Sequence, residues 1–421
     1  MTIVTAICVG LALLVLALLA ITAGIRNGDN RAQRANGGPT SMFVAALAYV
    51  VVLAPVVIPY GLVLATTLLL IVVIALPAIS AGLAVKIRAR LGDSAREVYD
   101  WAGVLVSFAL LAGLLATAGS VISLMGGLNR MLVTAVIGLA AAGYLLAQGR
   151  EAASRTSRWT LGFALVIPVI LLLGGAVVSS PEVLVDSLVP YEPLPLGSAA
   201  ALVLAVAACG VVDPSMGTVL RGSAKPGKAA LWGAVIAAGF VLVFGLGLVL
   251  IYGGAFVAPT LQAFLLAAAP PLVIGYFLFF AVFVLASAAD TQLAAGSEVA
   301  AERISPMKRR PITFVMIVLA IVLAGVVPAP GQILAIAATI AAAAFGAVLP
   351  AAAGKLPDLS ATVGVAVGVV AAVIVAIALG ITSALTFGTA TAVCLIVAFV
   401  LSFVTSTIVG KRQPAEAPAT A

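Results

Sequence analysis

Two carboxylates, Asp213 and Asp290, stand inside long apolar runs of the sequence. A carboxylate at the centre of a membrane costs about 2.5–3.5 kcal/mol on insertion scales, so each needs a partner or a watery cavity. Asp213 lies in Cys209-Gly-Val-Val-Asp213-Pro-Ser215, some seven residues before the end of its run at Leu220. There it suits two roles: a pathway carboxylate that binds a cationic group or a proton, or an N-cap for a helix restarting at Pro214. Asp290 comes at the end of its run, where snorkelling lowers the cost of the charge. Around it, Ser287-Ala-Ala-Asp290-Thr-Gln-Leu-Ala-Ala-Gly-Ser297 is rich in hydroxyls and small residues. That composition serves oxygen ligation of a hard cation or close helix packing equally well. Tyr49, Ser107, Ser215 and Thr218 are the other polar side chains placed to line a cavity with Asp213 and Asp290.

Much other chemistry is missing. With no histidine, the chain has no His-ligated zinc or haem and no His acid–base catalysis. Cys8, Cys209 and Cys394 sit far apart within apolar stretches, as small hydrophobes do. HExxH, GxSxG, GxxxxGK[ST] and a DDxxD-like acidic pair are all absent, so neither an enzyme nor a resident cofactor is expected.

The elements that must position these groups are membrane helices. Of the 421 residues, 64% are hydrophobic and 8% charged, against about 25% charged in a soluble domain. Apolar runs of membrane-spanning length predict an all-α polytopic protein with about thirteen spans. Their limits are near 3–24, 42–58, 62–85, 101–125, 131–148, 159–179, 197–220, 229–253, 265–290, 311–328, 332–353, 361–382 and 386–410. All but one of the 21 basic residues fall in alternate connections, the exception being Arg130. The positive-inside rule then places the N-terminus outside and the C-terminus in the cytoplasm, for a protein of the cytoplasmic membrane. The net charge of +7 thus follows from topology and needs no nucleic-acid partner. No connection is long enough for a soluble domain, and the tail 411–421 has the composition of a disordered segment.

The second run holds Pro55 and Pro59, and the seventh holds Gly210 and Pro214. Broken helices five spans apart predict two five-helix units of opposite orientation, the pattern of an inverted-repeat transporter, although Pro and Gly are common in membrane helices generally. The corresponding division is an extra N-terminal helix and loop (1–41), a first repeat (42–180), an outer loop (181–196), a second repeat (197–353), two accessory helices (354–410) and the tail.

Three stretches resemble the sodium:solute symporter family of the amino acid–polyamine–organocation fold. Ser287–Ser297 resembles its eighth core helix. Gly210-Val-Val-Asp-Pro-Ser-Met-Gly-Thr-Val-Leu-Arg221 is similar to its sixth. Arg90-Leu-Gly-Asp-Ser-Ala-Arg96, leading into a long helix, is similar to the loop and third core helix. The resemblance implies alternating-access symport with a sodium ion between the first and eighth core helices. On this chain that ion would meet the backbone carbonyls of Ala54, Val57 and Val284 and the Ser287 hydroxyl. Departures are Ala288, where the family has a second hydroxyl, and Leu161 and Ala164, where it has Asp and Gln. The expected function is therefore symport of a small solute coupled to sodium or protons. The alternative is a transporter-fold subunit that docks to or senses for a partner protein.

Overall fold

The computed structural model describes residues 38–148, 194–252, 271–304, 309–353 apart from 328, 359–380 and 388–412, with parts of helices within 7–18 and 156–172. The loop up to residue 193 and the tail beyond 412, both given roles from sequence, lie outside the described residues. Among the described residues every regular element is helical.

Helix α1 (Pro39–Val57) starts with Pro at its first turn and stays α-helical through Pro55. It ends in a 3-10 turn, Ile58–Tyr60, after which Gly61 at φ 110° reverses the chain. Only glycine takes that conformation without strain. Helix α2 (Leu62–Ile79) runs through a π turn at Ser80–Ala84 into α3 (Val85–Arg90). Next come α4 (Asp93–Gly126) and α5 (Arg130–Gln148). Helices α6 (Leu196–Val212) and α7 (Pro214–Gly222) meet at a 44° bend. The chain continues through α8 (Pro226–Tyr252), α9 (Pro271–Ile304), α10 (Arg309–Val326), α11 (Pro330–Ala352), α12 (Leu359–Ala378) and α13 (Thr389–Arg412).

Where the described residues cover them, these helices fall on the apolar runs read from sequence; the runs at 3–24 and 159–179 and the start of that at 265–290 lie largely outside the described residues. Eight of the described spans are long and apolar enough to cross a membrane, and the bent α6–α7 pair adds a ninth. This is a multi-pass membrane protein. Two helices reach well past their apolar runs: α4 begins eight residues earlier than expected and α9 ends fourteen later. The α9 extension is mostly buried inside the protein, while the α4 extension exposes Asp93, Ser94 and Glu97; both carry charged residues, so hydropathy alone does not register them.

Burial separates inner from outer helices. The apolar window of α1 is 72% buried, whereas that of α12 is 22% buried and presents Val370, Ile374 and Ile377 outward, as lipid-facing surface does. Helices α1, α2 and α8 pack on one another, and α4, α5, α9 and α10 form a second group. Helix α11 lies against α4 and α6, with α12 and α13 outside it. The α6–α7 bend sits between the two groups.

Candidate functional site

The bend follows from the local sequence. Pro214 has no N–H, so the Gly210 carbonyl loses its helical donor. The Ser215 N–H turns to Asp213 Oδ1 (3.0 Å) and leaves the Val211 carbonyl without its donor. Both carbonyls are satisfied from other helices: Ser80 donates to Gly210 O (3.0 Å) and Tyr99 donates to Val211 O. Gly103 lets α4 come this close. A Cβ there would stand 2.8 Å from the Val212 carbonyl oxygen and 3.2 Å from Pro214 Cδ. The break is thus held open by three named residues, and its buried backbone groups are paired, as low dielectric demands.

Asp213 fills both roles that the sequence left open. It is the N-cap of α7, and its carboxylate, 5% exposed, also joins helices of both groups. Tyr49 of α1 donates to Oδ2 at 2.8 Å and Ser107 of α4 to Oδ1 at 3.1 Å. Ser215 Oγ donates to Oδ2 at 2.6 Å, and Gln292 Nε2 of α9 reaches the same oxygen at 3.3 Å. Ser107 Oγ is also 3.1 Å from Gln292 Oε1, so its single proton is shared between that oxygen and Asp213 Oδ1. The reversed amide would set Oε1 against the carboxylate, so this orientation satisfies both groups. Five hydrogen-bond contacts thus converge on one carboxylate.

Four of the expected substrate residues, Tyr49, Ser107, Asp213 and Ser215, therefore form one cluster. Thr218 donates to Ser215 O at 2.8 Å. Asp290 belongs elsewhere: Thr156 donates to its Oδ2 at 2.7 Å and Thr291 to its Oδ1 at 3.1 Å. Because α9 continues to Ile304, Asp290 is an interior position, 0% exposed, and not the snorkelling helix end expected from hydropathy. Val284 and Ser287 lie on α9 toward its N-terminal side, and the Ser287 hydroxyl is buried without a hydrogen-bond partner. Ala54 and Val57 close α1. That helix is not interrupted at Pro55, and the Ala54 carbonyl accepts the Ile58 N–H.

Gln292 escaped the sequence reading because a lone amide in a small-residue helix carries no spacing signal. Asp100 escaped because it precedes an apolar run; it lies within α4, 4% exposed, and binds Arg88 (3.0 Å) and Arg303 (2.6 Å). That ion-paired carboxylate joins α3, α4 and α9 on the side the sequence assigns to the cytoplasm. A cavity of about 450 Å³ opens there and runs in to Asp213 and Pro214 past Tyr99 and Arg221.

No family model and no curated protein sequence matches the chain. A Na+-coupled sialic acid symporter solved in a substrate-bound outward-open state matches in structure with a TM-score of 0.70, over 97% of each chain, at 13% identity. The chain shares the fold of that solved structure. A nucleobase-cation-symport-1 family transporter, solved closed with bromovinylhydantoin bound, aligns over 92% of this chain and 94% of its own with a TM-score of 0.46 and 16% identity. In this fold Gln292 of the 287–297 stretch meets Asp213 and Ser215 of the 210–221 stretch.

Proposed function

We propose that this protein is a secondary active transporter that moves a small solute by alternating access, coupled to sodium. Its core is two five-helix repeats, 42–180 and 197–353, in the cytoplasmic membrane with the N-terminus outside. The solute passes the polar cluster of Tyr49, Ser107, Asp213 and Ser215, where α1 and the α6–α7 bend face α4 and α9, with Thr218 one turn further along the path.

The observation that carries the sodium reading is a pair of fully buried hydroxyls, Ser287 and Thr160, each without a hydrogen-bond partner. Thr156 contacts Asp290, which fixes the level at which the helix at 156–162 meets α9. The order of spans makes those two helices antiparallel. Ser287 and Thr160 then each stand about one turn, roughly 5 Å, from that contact and on the same side of it. Unpaired buried hydroxyls beside a carboxylate supply neutral oxygen ligands and a compensating charge for a hard cation. In this reading Asp290 takes the place of the acidic and hydroxyl groups missing at Leu161, Ala164 and Ala288. The carbonyls of Ala54, Val57 and Val284 complete the ligand set, that of Ala54 through the lone pair its bond to the Ile58 N–H leaves over. The cavity reaching Asp213 favours transport over a subunit that only docks to a partner protein.

The test is uptake by purified protein in proteoliposomes across a broad panel of small solutes, with sodium and proton gradients imposed separately. Sodium-driven accumulation of one solute is the expected result. Proton-driven accumulation reassigns the coupling ion, and no gradient-dependent uptake overturns the transporter reading.

A further inference from the structure

The cytoplasmic cavity is lined by three arginines from different helices: Arg88 of α3, Arg96 of α4 and Arg221 of α7. Their carboxylate partners are unevenly shared. Asp100 serves Arg88 and also Arg303, so one negative charge offsets two guanidinium groups. Asp213, at the inner end, is already surrounded by five donors. Glu302 lines the cavity as an exposed side chain of α9, and it and Glu298 act on Arg221 through space without an ion pair at contact distance. Among the described residues, neither Arg96 nor Arg221 forms an ion pair. Arg96 Nη2 donates to Leu91 O at 3.2 Å, and its Nε is buried with no partner. Arg221 is open to the cavity.

A guanidinium group facing a cavity holds planar N–H donors in a fork that matches an oxyanion, preferentially in bidentate geometry. Asp213 and Arg221 are eight residues apart, about 12 Å along a helix. We propose that the cytoplasmic cavity is a carboxylate-binding vestibule, with Arg221 and Arg96 holding the anionic group of the transported solute. This rests on the transporter reading and names its substrate class: small organic anions bearing a carboxylate.

Thermal unfolding of the purified protein tests it without requiring transport. The probes are matched pairs, acetate with acetamide, lactate with lactamide and benzoate with benzamide, plus inorganic phosphate, all at equal ionic strength. At least one carboxylate at about 10 mM should raise the midpoint by about 3 °C or more, with no shift from its amide. Arg221→Gln should remove that shift, and Arg221→Lys should retain only part of it. The second variant preserves the charge should the first fold poorly. A shift equal for acid and amide, one that survives Arg221→Gln, or no shift with any carboxylate overturns the proposal. Stabilisation by phosphate alone also overturns it and marks a phosphate site. A carboxylate shift without gradient-driven uptake upholds the vestibule while sinking the transporter reading, so the two failures are distinguishable.

Discussion

Gln292 and Asp290 stand two residues apart on α9 and bond in different directions: the Gln292 amide donates to Asp213, while Asp290 accepts from Thr156. Two residues turn a helix by about 200°, so one helix presents a polar group to each of two buried clusters. Along α9 the proposed solute cluster and the proposed ion site are joined by rigid backbone. A displacement of α9 at one of them is therefore felt at the other, which is the physical requirement for coupling the two binding events.

Asp213→Asn separates capping from transport. Asparagine caps a helix as well as aspartate does, but its amide N–H groups face donors where the carboxylate accepted from them. Losing one charge-assisted hydrogen bond costs about 1.5–3 kcal/mol, so uptake should fall at least about tenfold. The helical content by circular dichroism should not change. Uptake close to that of the unsubstituted protein would confine Asp213 to its capping role.

Gly103→Ala probes the close approach of α4 to the bend. The added methyl meets the Val212 carbonyl oxygen and the Pro214 ring, both held by the backbone, so neither can rotate away. The thermal midpoint should drop, with a cost of about 1–3 kcal/mol for overpacking. Gly239→Ala on α8, where nothing lies within 4 Å of the new Cβ, should instead stabilise by up to about 1 kcal/mol. Equal behaviour of the two variants would remove the packing account of the break.

Ser287→Ala and Thr160→Val each delete one unpartnered buried hydroxyl. If these groups ligate sodium, the sodium concentration for half-maximal uptake should rise about fivefold to tenfold, the scale of about 1 kcal/mol per lost ligand. Asp290→Asn should abolish sodium dependence altogether. Unchanged sodium activation in all three variants would sink the assignment.

Asp100→Asn leaves Arg88 and Arg303 facing each other without the carboxylate that neutralises both. The arginines are 24% and 26% exposed, so solvent screens part of their repulsion. The variant should unfold at lower temperature, and added salt should narrow the difference from the unsubstituted protein. A difference that salt does not change would mean that Asp100 acts through packing.

Apolar runs are local, and lipid forces the backbone of each to pair with itself, so the sequence by itself determined the membrane class, the places of the spans and the break at Gly210–Pro214. The small set of polar residues worth watching was legible for the same reason, since a polar group in an apolar run stands out. Which of them meet was not. Tyr49, Ser107, Asp213 and Gln292 come from four helices, with up to 185 residues between bonded partners. No periodicity spans such separations. The interior place of Asp290 and the burial of Asp100 were hidden because α4 and α9 extend past the apolar runs that announce them. There the side chains are shielded by neighbouring helices in place of lipid. Tertiary packing alone decided that Asp213 is both a cap and the meeting point of two helix groups.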